Sequence, residues 1–159
     1  AQRAYGRGVG RLADGDLDAA AARLDTALAR RPEWGAAWRQ RGFASRDAAS
    51  QIANFSRAIA IEPNDADSLA ARGRAYLHDG DATHARADLS AAIARVPDNA
   101  EWFGERGLVA MLANDDAAAH SDFLQCAKLQ PRCAEAFAAR ISTVEASQNR
   151  SPRDWFAAP

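Results

Sequence analysis

The chain has 159 residues, 48% of them hydrophobic and 26% charged, and its 20 Lys+Arg against 21 Asp+Glu leave a net charge of -1. That balance excludes the basic excess with which duplex-binding and membrane-surface proteins displace counterions, and no apolar run approaches the roughly 20 residues of a bilayer span. Aromatics are only 8% and alanine dominates the apolar set, so the core has to come from helices that approach closely through small side chains.

Hydrophobic periodicity with its start and stop signals predicts helices near 2–13, 16–30, 34–45, 48–60, 66–78, 82–95, 100–113, 116–129 and 133–147. Pro32, Pro63, Pro97 and Pro131 follow every second one, at steps of 31, 34 and 34 residues. Proline stops a helix because it lacks the N–H donor and clashes with the preceding turn. The pairs Arg7-Gly8, Arg41-Gly42, Arg72-Gly73 and Arg106-Gly107 recur at the same step, and Arg140-Ile141 ends the series. Glycine in this slot lets two helices meet with no side chain between them, while Leu24, Phe55, Leu89 and Phe123 fill the space from the second helix.

The turns between paired helices read Asp14-Gly15-Asp16, Asp79-Gly80-Asp81 and Asn114-Asp115. Their side chains cap the next helix by accepting from its free N–H groups. The second period is three residues short, and the loss falls at Ser45-Arg46-Asp47, where Asp47 is expected to cap its helix directly. Ser151-Pro152-Arg153-Asp154 carries an N-cap, a proline at the first helical position and a carboxylate three residues after the cap. It predicts a tenth helix through Trp155 and Phe156, stopping at Pro159. Those two aromatics either fold back onto the last groove or mark a repeat array cut from a longer protein.

Taken together, these features resemble the tetratricopeptide repeat, a helix–turn–helix unit of about 34 residues. Trp38, Leu69, Phe103 and Phe137 stand in its first-helix aromatic or apolar position, and Tyr76 fills its tyrosine slot once. The resemblance covers almost the whole chain. It implies an all-α fold, a right-handed superhelical α-solenoid of antiparallel helix pairs. That fold forms a single domain over 1–159, with repeats at about 1–34, 35–65, 66–99 and 100–133 and a partial or capping repeat over 134–159.

The same resemblance implies a protein–protein interaction scaffold whose first helices line a groove for a peptide or protein segment. Carried over by register, the groove positions include Tyr5, Val9, Leu12, Arg39, Phe43, Arg74, Leu77, His78, Gly104, Leu108, Met111, Glu135 and Ser142. Tyr5, Val9, Arg39, Phe43, Arg74, Leu77, Leu108 and Met111 form the expected peptide-binding set; up to half of the wider set completes the core instead. Family members that grip a chaperone's terminal carboxylate need Lys and Asn here, whereas this chain has Tyr5/Val9, Arg39/Phe43 and Ala70/Arg74. What remains is an apolar trough with Arg39 and Arg74 as positive points, suited to a segment with apolar anchors and one or two carboxylates.

The recurrent arginine reads as a tie within each repeat: sixteen residues on, Asp88 stands opposite Arg72 and Asp122 opposite Arg106. Asn54 takes that slot in the second repeat and Arg23 in the first, so Arg7 is left without an equivalent partner. Cys126 and Cys133 are too few for a disulfide framework and are expected as small buried thiols. His78, His84 and His120 lack metal-ligand spacing, and no phosphate loop or nucleophile elbow is present. No metal, cofactor, nucleic acid, membrane insertion or catalysis is therefore expected. The rival readings are a recognition arm excised from a larger enzyme and self-assembly through the end helices into a homo-oligomer. Arginine almost wholly replaces lysine, with Lys128 alone, as in a high-GC bacterial genome; the expected compartment is the cytoplasm, with the periplasm as the alternative.

Overall fold

The computed structural model describes residues 1–157, and among them it contains nine helices and no strand. They are α1 (Gln2–Ala13), α2 (Leu17–Arg30), α3 (Gly35–Phe43), α4 (Ala48–Ile61), α5 (Ala66–Asp79), α6 (Ala82–Arg95), α7 (Ala100–Leu112), α8 (Asp116–Leu129) and α9 (Cys133–Ser147). The chain divides into two compact units, Ala1–Asp79 and the residues from Gly80 onward, so the division falls in the turn inside the third repeat.

Local chemistry sets the helix ends. Asp16, Asp47, Asp81, Asn99 and Asp115 each accept a hydrogen bond from the backbone N–H three residues on, at 2.7–3.3 Å. Asp47 therefore caps α4 directly, as the shortened second repeat requires, and α3 ends early at Phe43. Bonding to the Ser50 N–H and hydroxyl holds the Asp47 carboxyl below its ordinary range, and the His84 N–H does the same for Asp81. Arg31, Glu62, Val96 and Gln130 close α2, α4, α6 and α8, each immediately before a proline.

In the first unit, α1 packs on α2, α3 on α4, and α4 on α5. A Cβ on Gly8 would lie 2.7 Å from Leu24 Cγ, and one on Gly42 would collide with the Phe55 ring. Leu24 with Ala20 and Ala44 forms one apolar cluster, backed by Tyr5 and Leu12; Phe55 with Ala71 and Ala75 forms another. Each fully buried Leu or Phe side chain contributes about 1.5–3 kcal/mol relative to exposure.

In the second unit, α7 packs on α6, α8 and α9. A Cβ on Gly107 would lie 2.9 Å from the Phe123 ring, and one on Gly104 would collide with the Phe137 ring. Phe123 is 0% exposed and lies against Phe137, Trp155 and Phe156.

Two expectations are overturned here. Cys126 and Cys133 are not thiols: they form a disulfide that joins the end of α8 to the start of α9, with Cα atoms 5.8 Å apart. The proline-broken turn at Pro131 doubles the chain back and brings the two buried sulfurs together. The tenth helix does not form either. Residues 151–154 are irregular and a turn follows at Trp155-Phe156; Pro159 lies outside the described residues.

In place of that helix the segment folds back over α8 and α9. Arg150 and Arg153 both donate to the Asp116 carboxylate, at 2.5 and 2.6 Å. Glu145 Oε1 accepts from the Arg153 N–H and from the Trp155 indole N–H, at 3.1 and 2.8 Å. A short helix nucleates at a net cost, and burying Trp155, only 3% exposed, is the stronger term.

Candidate functional site

The recurrent arginine has two partners, one ahead and one behind. Arg106 grips Asp122 through two hydrogen bonds of 2.7 and 2.8 Å, sixteen residues ahead, as expected. Those bonds raise the Arg106 pKa above its already high ordinary value. The same guanidinium also donates to Ser90, sixteen residues behind, at 3.1 Å. Arg41 donates to Asp25 at 2.7 Å and Arg72 to Ser56 at 3.1 Å, again sixteen residues behind. The arginine thus fastens its own helix to the second helix of the preceding pair, a role the forward spacing alone did not reveal. In the second repeat Arg41 donates to Ser45 Oγ at 3.2 Å and Asn54 donates to the same oxygen at 3.0 Å, so a serine and an amide replace the aspartate.

Six of the eight expected groove residues lie on α1, α3 and α5, all in the first unit. Phe43 is 42% exposed, with its ring edge on Phe55 at 5.1 Å. Tyr5, Val9 and Leu77 are half-buried. Tyr5 stacks on Trp34 at 4.4 Å between ring centroids, and the Arg31 guanidinium lies over the Trp34 ring at 5.0 Å. Trp34 was not among the expected residues because it precedes its helix, where helical spacing gives no signal.

The two arginines of the trough are not free positive points. Arg39 Nη1 donates to both Asp65 oxygens at 2.8 and 2.9 Å and to Asp67 at 3.3 Å, and Arg74 is likewise engaged. All three Arg39 contacts run through Nη1, and a guanidinium has five donors, so its other nitrogens keep capacity for a ligand carboxylate. Leu108 and Met111, on α7, are 2% and 0% exposed; they belong to the core. Among the wider set, Gly104 is closed off by Phe137, whereas His78, Glu135 and Ser142 are exposed. Among the described residues no group of three or more His, Cys, Asp and Glu could hold a metal ion, and no helix is long and apolar enough to cross a membrane.

These helix pairs, with glycine at the contact and proline at the exit, define a helical-repeat protein. The sequence profile described as tetratricopeptide repeat matches residues 54–87, and the helices of the described residues fit the all-α helical solenoid of tetratricopeptide-repeat proteins. Its fold is similar to a crystal structure of the MamA protein, with 17% identity, a TM-score of 0.80, and coverage of 93% of this chain and 82% of that one. It is also similar to TTC0263, a thermophilic TPR protein of Thermus thermophilus, at 17% identity and TM-score 0.71, covering 90% and 80% of the two chains. PilF of Pseudomonas aeruginosa aligns over 96% of this chain and 77% of its own at 18% identity and TM-score 0.75. No curated protein sequence matches the chain.

Proposed function

We propose that this chain is a non-catalytic protein-interaction scaffold, and that the first-helix face of its first unit holds a peptide or protein segment. The observation that carries this reading is Phe43, a large aromatic left 42% exposed in the repeat position that the buried Leu108 fills two repeats later. By register the half-buried Tyr5, Val9 and Leu77 add apolar contact, and Arg39, anchored by Asp65 and Asp67, offers its remaining donors to a carboxylate. Anchored charges lose little side-chain freedom on binding, which favours affinity. The partner that fits is an extended or helical segment with apolar anchors and one or two acidic residues.

The Cys126–Cys133 bond supports an oxidising compartment, the periplasm in a bacterial cell, over the cytoplasm. Peptides selected from a random display library on the intact chain test the binding proposal. Titration calorimetry should show them binding the Phe43→Ala and Arg39→Gln variants about tenfold or more weakly, as for a central anchor. Selected peptides that bind both variants unchanged would remove the proposal.

A further inference from the structure

The four joints at which a second helix hands over to the next first helix differ in one respect. Five residues before each proline stands a buried residue, Ala27, Ala58, Ala92 and then Cys126; two residues after it stand Trp34, Asp65, Asn99 and then Cys133. In the first three joints the residue after the proline ties the chain through non-covalent contacts. Trp34 stacks on Tyr5 at 4.4 Å, Asp65 accepts from Arg39 at 2.8 Å and from the Ser68 hydroxyl at 2.5 Å, and Asn99 accepts from the Trp102 N–H at 3.3 Å. In the fourth joint α9 starts without a side-chain cap, and the tie is the Cys126–Cys133 bond. Of the four, this joint is the one whose strength depends on the redox poise around the protein.

We propose that the bond is a redox-operated latch on α9, closed as the disulfide and opened by a dithiol reductant. The seat it holds is built from both helices. Phe123 lies one turn before Cys126 on α8 and Phe137 one turn after Cys133 on α9, with ring centroids 6.5 Å apart. Trp155 and Phe156 rest on Phe123 at 6.1 and 5.4 Å; the indole N–H donates to Glu145 of α9, and Arg150 and Arg153 donate to Asp116 of α8. Freeing the first turn of α9 from α8 therefore loosens the seat of Trp155 as well, and by linkage the seated Trp155 stabilises the closed bond. Both cysteines are 1% exposed, so a reductant reaches them only through a local opening of the joint. A thiolate of the reductant then attacks one cysteine sulfur, which forms a mixed disulfide and releases the other cysteine as a thiolate. The second thiol of the reductant displaces the first cysteine; the reductant ends as a disulfide, and two electrons and two protons have passed to the cysteines.

Hydrogen exchange of the intact chain, measured with and without excess dithiothreitol, tests the latch. Reduction should speed exchange in residues 133–140 and at the Trp155 indole about tenfold or more, as the lost loop constraint implies, and leave α1 to α5 unchanged. Reoxidation should restore the protection. The double variant Cys126→Ala, Cys133→Ala should show the fast exchange with or without reductant. Trp155→Ala keeps both cysteines and should let dithiothreitol reduce the bond about tenfold faster, as reciprocal coupling requires. Exchange in residues 133–140 that ignores reduction overturns the proposal, as does a Trp155→Ala chain that is reduced no faster than the unmodified one. Loss of helix throughout the chain on reduction would make the bond a general staple and overturn it too, as would free thiols in the chain purified under air.

Discussion

The same repeat positions end differently in the two units. In the first, Arg39 and Phe43 lie on α3 with Phe43 at the surface; two repeats further on, Gly104 and Leu108 occupy the same register on α7, and Leu108 is in the core. Gly104 accepts the Phe137 ring of α9 against the α7 backbone, and Gln148 at the end of α9 donates to the Met111 carbonyl at 3.0 Å. Arg39 cannot take a ring in that way, and it is tied instead to Asp65 and Asp67 at the start of α5. The lesson is that register assigns a position to a face, while the neighbouring helix decides whether that face stays open.

The contrast can be broken most sharply at the two phenylalanines. Phe123→Ala, at the junction of Phe137, Trp155 and Phe156, should cost about 3–5 kcal/mol in a denaturant melt, whereas Phe43→Ala should change stability by less than about 0.5 kcal/mol. Comparable losses would mean that Phe43 is core and not an anchor. The disulfide comes next. Replacing Cys126 and Cys133 together by Ala opens a loop closed over a sequence separation of 7, and the loop-closure estimate is about 2–3 kcal/mol. A melt unaffected by the double substitution or by reductant would show that the α8–α9 joint does not depend on the bond. Gly107→Leu forces a side chain against the Phe123 ring and should cost about 1–3 kcal/mol; an unchanged melting point would show that the helix contact is misplaced.

The smallest effect is on the segment that folds back over α9. Arg150 first, and Arg153 with it, hold the Asp116 carboxyl below its ordinary range. A depressed carboxylate stabilises the folded arrangement above the unfolded pKa of about 4, and that contribution is lost as pH falls through the lower folded value. Hydrogen exchange of the Trp155 indole N–H should therefore quicken below about pH 4 while the helices persist. Asp116→Asn should show the same release at neutral pH. Protection that is independent of both would leave the ion pairs without a role in holding Trp155.

Much of the architecture was legible because its signals are local. Asp16, Asp47, Asp81, Asn99 and Asp115 each cap from within their own turn, and each proline acts on the residues just before it, so helix ends were readable to within one or two residues. Arg106–Asp122 and Gly107–Phe123 were legible too, since a sixteen-residue step recurs whenever two helices pair with a fixed turn. Of the expected groove set, register alone did not show that Leu108 and Met111 are buried in the core or that Arg39 is tied to Asp65 and Asp67, whereas Tyr5 and Val9 are half-buried and Phe43 is exposed. Trp34 carried no periodic signal at all.

What the amino-acid order determined alone is therefore the pairing: helix lengths, their stops, and a glycine opposite a large apolar residue, all set by interactions that span at most one turn or one hairpin. Only the tertiary structure decided that Trp155 lies in a folded-back strap instead of in a helix, that two cysteines across a proline turn are bonded, and that Arg39 is tied to Asp65 and Asp67. These outcomes depend on which distant surface reaches a side chain first, and burial and charge are settled by that arrival, not by spacing along the chain.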